Sequence, residues 1–207
     1  MAAIDFKKTQ KQYYQVKNTP ELIDVPEMAF IAIDGIGDPN TAAAYAEAIE
    51  ILYGLSYAIK MGNKDIMEYV VLPLEGYWNN AGPANTGTGT LDKDRFEWTA
   101  MIRQPDFVTQ DVFAEATQSL AKKKPQLDLA KARLERITEG LCIQILHNGS
   151  YDDEPATIAA IYAFAEANGY LIDLNETRRH HEIYLSDPRK TAPEKLKTVI
   201  RYPVKPI

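Results

Sequence analysis

The feature that most constrains this chain is an order of predicted elements that occurs twice. Met28-Ala29-Phe30-Ile31-Ala32-Ile33 is a short apolar run closed by Asp34-Gly35-Ile36-Gly37. Its length, its Ile and Phe content and the glycines after it predict a strand. Beyond Asp38-Pro39-Asn40-Thr41, the residues Tyr45, Ile49, Leu52, Leu55 and Ile59 recur at three- and four-residue spacing, the stripe of an amphipathic helix. Asn40 or Thr41 would cap this helix and Gly62-Asn63 would stop it. Two further strands are predicted at 68–74 and 95–103, separated by a loop rich in Gly, Asn and Thr.

The second half follows the same order. Leu141-Cys142-Ile143-Gln144-Ile145-Leu146 predicts a strand and His147-Asn148-Gly149-Ser150-Tyr151 a turn. A helix starts within 152–155, with Pro155 suited to its first turn, and carries Ile158, Ile161, Tyr162 and Ala165 on one stripe before Gly169. Strands at 181–187 and 197–203 complete the unit. The halves also finish alike, Met101-Ile102-Arg103-Gln104-Pro105 against Val199-Ile200-Arg201-Tyr202-Pro203. This predicts an α+β fold built from a duplicated β-α-β-β unit. Its parts are an N-terminal extension at 1–24, repeats at 25–108 and 140–207, and a helical connector at 109–139. The connector reads as two helices, 111–123 and 127–139, the second with Leu127, Leu134 and Ile137 before Gly140. Lys122-Lys123-Lys124 reads as solvated cations that suit a helix C-terminus. A unit with one helix leaves a sheet face uncovered. Two units can hide those faces from each other or leave a ligand cleft between them.

Composition narrows the function. Hydrophobic residues are 45% and charged residues 25% of 207, ordinary for a globular protein. A formal charge of −6 lacks the cationic excess of a nucleic-acid binder. The single cysteine, Cys142, sits in an apolar run and predicts a packed side chain. No apolar stretch is long enough to cross a bilayer and no signal peptide is visible at 1–12, so a cytoplasmic protein is expected.

Alternation on a strand places Glu182 and Tyr184 on one face and Ile183 with Leu185 on the other. Ile183 and Leu185 would be covered by the helix, leaving Glu182 and Tyr184 toward the cleft. A carboxyl beside a phenol on a partly dry surface suits proton transfer; the alternative is a solvated glutamate on an exposed edge. Glu68 and Glu97 are understudies, because a one-residue slip would exchange the faces. Trp78, Trp98 and Tyr151 offer flat apolar surface with a polar handle, suited to a planar or cationic ligand. Core packing is the competing account of Trp98, whereas Trp78, beside Asn79 and Asn80, reads as a loop residue. Gly87-Thr88-Gly89 lacks the rest of a dinucleotide fingerprint. His180 and His181 would face opposite ways, and His147 has no partner at ligand spacing, so neither a metal nor another cofactor is expected. No GxSxG elbow supports covalent hydrolysis.

The segments 146–155 and 181–189, Leu146-His147-Asn148-Gly149-Ser150-Tyr151-Asp152-Asp153-Glu154-Pro155 and His181-Glu182-Ile183-Tyr184-Leu185-Ser186-Asp187-Pro188-Arg189, resemble the GyrI-like small-molecule-binding family. Trp98-Thr99-Ala100-Met101-Ile102-Arg103-Gln104-Pro105 resembles its stand-alone, cyclopropanoid-hydrolase branch. The resemblance runs from about Asp24 onward and departs at Ser150, where the family often has proline. It implies an SHS2-type repeat with pseudo-two-fold symmetry and a ligand cleft between the halves. It also implies one of two functions: hydrolysis of activated cyclopropanes in DNA-alkylating genotoxins, a detoxification, or non-catalytic binding of lipophilic cationic drugs. Glu182 would then be the base and Tyr184 a donor or orienter, with Trp78, Trp98 and Tyr151 holding the flat ligand. A gyrase-interacting role, which the family name suggests, finds no dense carboxylate run to support it.

Overall fold

A computed structural model describes residues 3–79 and 96–207. Its strands are β1 (Glu21–Ile36), β2 (Leu74–Asn79), β3 (Glu97–Gln104), β4 (Arg133–Asn148), β5 (Tyr170–Ile172), β6 (His180–Tyr184) and β7 (Lys197–Pro206). Its helices are α1 (Phe6–Thr9), α2 (Lys11–Tyr14), α3 (Ala43–Gly62), α4 (Gln110–Lys123) and α5 (Glu154–Ala167). The strands order as β4-β1-β3-β2-β6-β7, and β4 also pairs with β7, so six antiparallel strands close into a barrel. β5 adds to the far end of β7. Closure removes the exposed strand edges that an open sheet would present. The length of β4 makes this possible: residues from Arg133 to Gln144 pair with β1, and residues from Cys142 to Asn148 pair with β7.

The fold is thus a mixed α/β barrel with flanking helices. Around it, β1-β3-β2 and β4-β7-β6 are contiguous groups, joined through β1–β4 and β2–β6. The β2–β6 seam, where Gly76 lies opposite Glu182, positions the site.

Several expected elements fall elsewhere. The strand expected at 68–74 is β2 at Leu74–Asn79, and only Tyr69 of the earlier stretch makes a bridge, to Ile4. Pro73 explains the shift, because it has no N–H to give and β2 must bond on both edges, to β3 and β6. Trp78 is therefore a strand residue and not a loop residue. The second connector helix, expected at 127–139, is also replaced. After α4 the chain makes a single 3-10 turn at Leu129–Lys131 and enters β4 at Arg133. The edge of β1 is open to pairing there, and its ladder outweighs a weak helical stripe of three residues. Gly140, read as a helix stop, sits within β4 at φ 64. The first strand is longer than its apolar run and crosses the expected boundary at residue 24. Neither Asn40 nor Thr41 caps α3: Ala42 is its N-cap, while Asp38 accepts the Asn40 N–H. Arg95 and the loop motif at 87–89 lie outside the described residues.

The principal core joins the barrel lumen to the face under α3, with Ile31, Ile51, Leu52, Leu55 and Met101 fully enclosed. A second cluster lies under α5, where Ile161 and Ala165 meet Ile143, Ile200 and Tyr202. The N-terminal residues belong to the same body: Tyr13, Tyr14 and Val16 are buried, and Arg103 donates to Gln10 at 2.6 Å and to Tyr14 at 3.2 Å.

Candidate functional site

On β6, His180, Glu182 and Tyr184 share one face and His181 and Ile183 the other. The expected assignment of those faces is reversed. Glu182 hydrogen-bonds to Glu154, the first residue of α5, and so lies on the helix-bearing side. Ile183 pairs between Glu75 and Val199 and fills the lumen. A closed barrel has an interior that must be packed, and the apolar parity goes there. The helices flank the β2–β6 seam, and the first turns of α3 and α5 bring Tyr45 and Glu154 to it.

Glu182 is 7% exposed and the tryptophans 9% (Trp78) and 3% (Trp98), so the floor of this site is dry. The Tyr184 hydroxyl donates to Glu182 Oε2 at 2.7 Å and accepts from Trp78 Nε1 at 2.8 Å. His180 Nε2 lies 3.2 Å from Glu182 Oε1 without the alignment of a hydrogen bond, and its Nδ1 is 3.2 Å from the Tyr202 hydroxyl. Tyr45 packs edge-on against Trp98 at 4.9 Å between centroids and lies 6.2 Å from Trp78. Tyr151, 36% exposed, stands edge-on to Tyr184 at 5.9 Å and forms the rim.

Two glycines make room for these rings. A Cβ on Gly35 would come within 2.2 Å of the Trp98 ring, which lies across that residue. A Cβ on Gly76 would stand 3.0 Å from Trp78 Nε1 and 3.2 Å from the Tyr184 hydroxyl. Both are strand glycines kept for close approach.

Burial pushes Glu182 up to about 7, opposed by hydrogen bonds from Tyr184, Glu154 and Trp78 and by the charge of His181. Glu154 is driven well above the carboxylate range, first by burial and then by the charge of Glu182. Burial, with the neighbouring His181, lowers His180 to about 3, so it is neutral. The Tyr184 phenol is raised well above its ordinary value by burial and by Glu182, and it stays protonated. The site therefore holds two adjacent buried carboxyl groups, both raised, and a protonated phenol hydrogen-bonded to one of them.

Five of the seven residues singled out in the sequence converge here: Glu182, Tyr184, Trp78, Trp98 and Tyr151. Glu97 does not. It is exposed at the start of β3 and shares parity with Thr99 and Met101 on the lumen side. Glu68 is exposed before β2, and its carbonyl accepts the Ile4 N–H. The sequence reading missed Glu154, His180 and Tyr45. A glycine inside β2 was the one available signal for the crowding at Gly76.

The opposite face carries a separate polar cluster. His181 sits in the lumen between Glu139 at 2.9 Å and Glu75 at 3.0 Å, and Arg201 donates to Glu139 at 2.7 Å. Burial would lower His181, but Glu139 and Glu75 outweigh it and raise the group to about 9; Glu139 is held at about 2. These groups neutralise one another inside the barrel. Among the described residues, no three His, Cys, Asp or Glu side chains group as a metal site. A cavity of about 280 Å³ between β1, β4 and the start of α4 shares no residue with the Glu182 cluster.

Comparison with known proteins shows the family and the fold. The model of the GyrI-like small molecule binding domain matches residues 18–205, and the chain belongs to that family. An uncharacterized conserved protein from Listeria innocua is 44% identical with a TM-score of 0.90, over 98% of this chain and 100% of its own. Two structures, each described as a hydrolase from Listeria innocua, are 42% identical. Their TM-scores are 0.88 and 0.89, over 98% and 99% of this chain and 100% of theirs. A comparison with curated proteins finds no match. No described helix is long and apolar enough to cross a membrane.

Proposed function

We propose that this protein hydrolyses activated, spiro-fused cyclopropane rings of DNA-alkylating genotoxins, with Glu182 as the base. The observation that carries the reading is a buried carboxyl near neutrality, hydrogen-bonded by a phenol and walled by tryptophans. The 42% identical Listeria structures described as hydrolases support hydrolysis, and the cyclopropane class follows from the resemblance to the stand-alone branch. Two halves related by a pseudo-two-fold axis would meet at the β2–β6 seam, with the site between them.

In this reaction Glu182 takes a proton from water as the water oxygen bonds to a cyclopropane carbon. The strained C–C bond breaks, its electron pair passes through the dienone, and the former carbonyl oxygen becomes a phenolate that takes up a proton. Trp78, Trp98 and Tyr151 hold the flat ring system. Tyr184 is the orienter: its proton is directed at Glu182 and its oxygen already accepts from Trp78. A general base contributes roughly 10²–10⁴-fold. Glu182→Gln is expected to lower kcat by that factor while a substrate analogue still binds. Turnover at the wild-type rate would remove Glu182 from the mechanism.

One observation favours a second reading. A buried carboxylate edged by Trp78, Tyr45 and Tyr151 also matches a binding site for a lipophilic cation, with no chemistry. There Glu182→Gln would abolish binding, the opposite of the outcome expected above.

A further inference from the structure

Glu154 is an unusual first helical residue. Acidic side chains in that position normally face water, where they complement the helix dipole. This one is 8% exposed and turned onto the sheet. It hydrogen-bonds to Glu182, and its Oε1 is buried without a partner. The turn before it is anchored: His147 contacts Thr157 Oγ1 at 2.8 Å and the Ser150 carbonyl at 2.9 Å, and the Ser150 hydroxyl accepts the Asp152 N–H at 3.2 Å. The backbone thus aims a second carboxyl at the first. Two adjacent carboxyl groups in a dry site cannot both ionise, so one holds a proton and points it at the other.

We propose that Glu154 is a positioning residue that holds the proton of this pair and donates it as a hydrogen bond to Glu182, keeping Glu182 ionised and aimed as the base. The inference rests on the hydrolytic reading for its kinetic consequence, but the location of the proton is independent of it. The asymmetry has a structural source. Glu182 already receives a hydrogen bond from Tyr184, with Trp78 behind it, whereas Glu154 Oε1 has no donor. The anion settles where the donors are. The other groups facing the pair are Tyr45 from α3, Tyr151 and Asp152 from the turn, His180 from β6 and Tyr202 from β7, and His181 acts on it from the opposite face of β6. Of these, only His181 brings positive charge, and it favours ionisation of Glu182.

Kinetics and infrared spectroscopy test the proposal together. Glu154→Gln keeps a donor and is expected to retain kcat/KM within about threefold, with the acid limb of its pH profile unmoved. Glu154→Ala removes the donor. Its acid limb should move to higher pH, with kcat near neutrality down about tenfold and KM little changed, the scale of one hydrogen bond to a charged group. A limb that moves to lower pH would show Glu154 to be an ionised neighbour, and an unmoved limb or equal impairment of both variants would show a packing role. Each of those results overturns the proposal. At mildly alkaline pH, difference infrared spectra of the wild type should show a protonated-carboxyl stretch that is lost in Glu154→Gln and kept in Glu182→Gln. A band that follows Glu182, or no band, also overturns it, even if the alanine variant does not fold. Absence of wild-type turnover would defeat the hydrolytic reading and leave the infrared result standing.

Discussion

Glu182 is held in an environment that makes it useful and costs the fold. Its folded-state value, about 7, lies above that of an unfolded glutamate. Its stabilising contribution is therefore present below the ordinary carboxylate value and lost as the pH rises through about 7. Glu182→Gln, which cannot ionise, should raise stability on the alkaline side of neutrality by about 2 kcal/mol, seen in urea unfolding at about pH 8. Unchanged or reduced stability would show that the charge is better solvated than its burial implies. Tyr184→Phe removes the hydroxyl between Trp78 and Glu182. It deprives the indole N–H of its acceptor at 2.8 Å, at about 1–3 kcal/mol. It also takes away a donor that lowers Glu182, so the acid limb of turnover should shift upward on a pH–rate profile. The Glu182–Tyr184 pair was legible in the sequence because residues two apart on a strand share a face whichever way the sheet turns. Glu154 was not, because a glutamate at a helix start is ordinarily solvated and no local pattern marks it as buried.

At the scale of elements, crowding among rings decides the site. Trp98 lies across Gly35 because that residue has no Cβ, and Tyr45 of α3 then closes on its edge. Gly35→Ala should displace the indole and cost about 1–3 kcal/mol, the usual price of overpacking, with a shifted Trp fluorescence maximum as the readout. A normal spectrum and stability would mean the ring has room to move. The strands and helices with strong periodicity, β1, α3, α5 and β7, were readable from pattern alone. β2 was misplaced because its apolar content begins before Pro73, while its pairing begins after it. β4 was misread because its Leu134 and Ile137 fit a helical stripe, and only the open edge of β1 selects the strand.

At the scale of the whole molecule, closing the barrel gives the two faces of β6 different tasks. Glu182 faces the helices and the candidate site, while His181, the next residue inward, faces the lumen. The sequence showed that these neighbours point apart, but not which face is inside, since that depends on β4 pairing with β7. His181 is raised to about 9 by Glu139 and Glu75, above an unfolded histidine. Its contribution is complete below the unfolded value and lost as the pH rises through about 9. The urea midpoint should therefore fall between about pH 7 and about pH 9, and His181→Gln should be less stable but flatter across that window. A wild-type midpoint that does not fall would mean the lumen charges are not coupled as drawn. The central claim, that the seam between β2 and β6 performs hydrolysis, is tested most directly by offering excess spiro-cyclopropane dienone to the purified protein in ¹⁸O-labelled water. Mass spectrometry should find many equivalents of ring-opened phenol per protein, each carrying one labelled oxygen. Ligand bound in proportion to protein, with no labelled product, would contradict it.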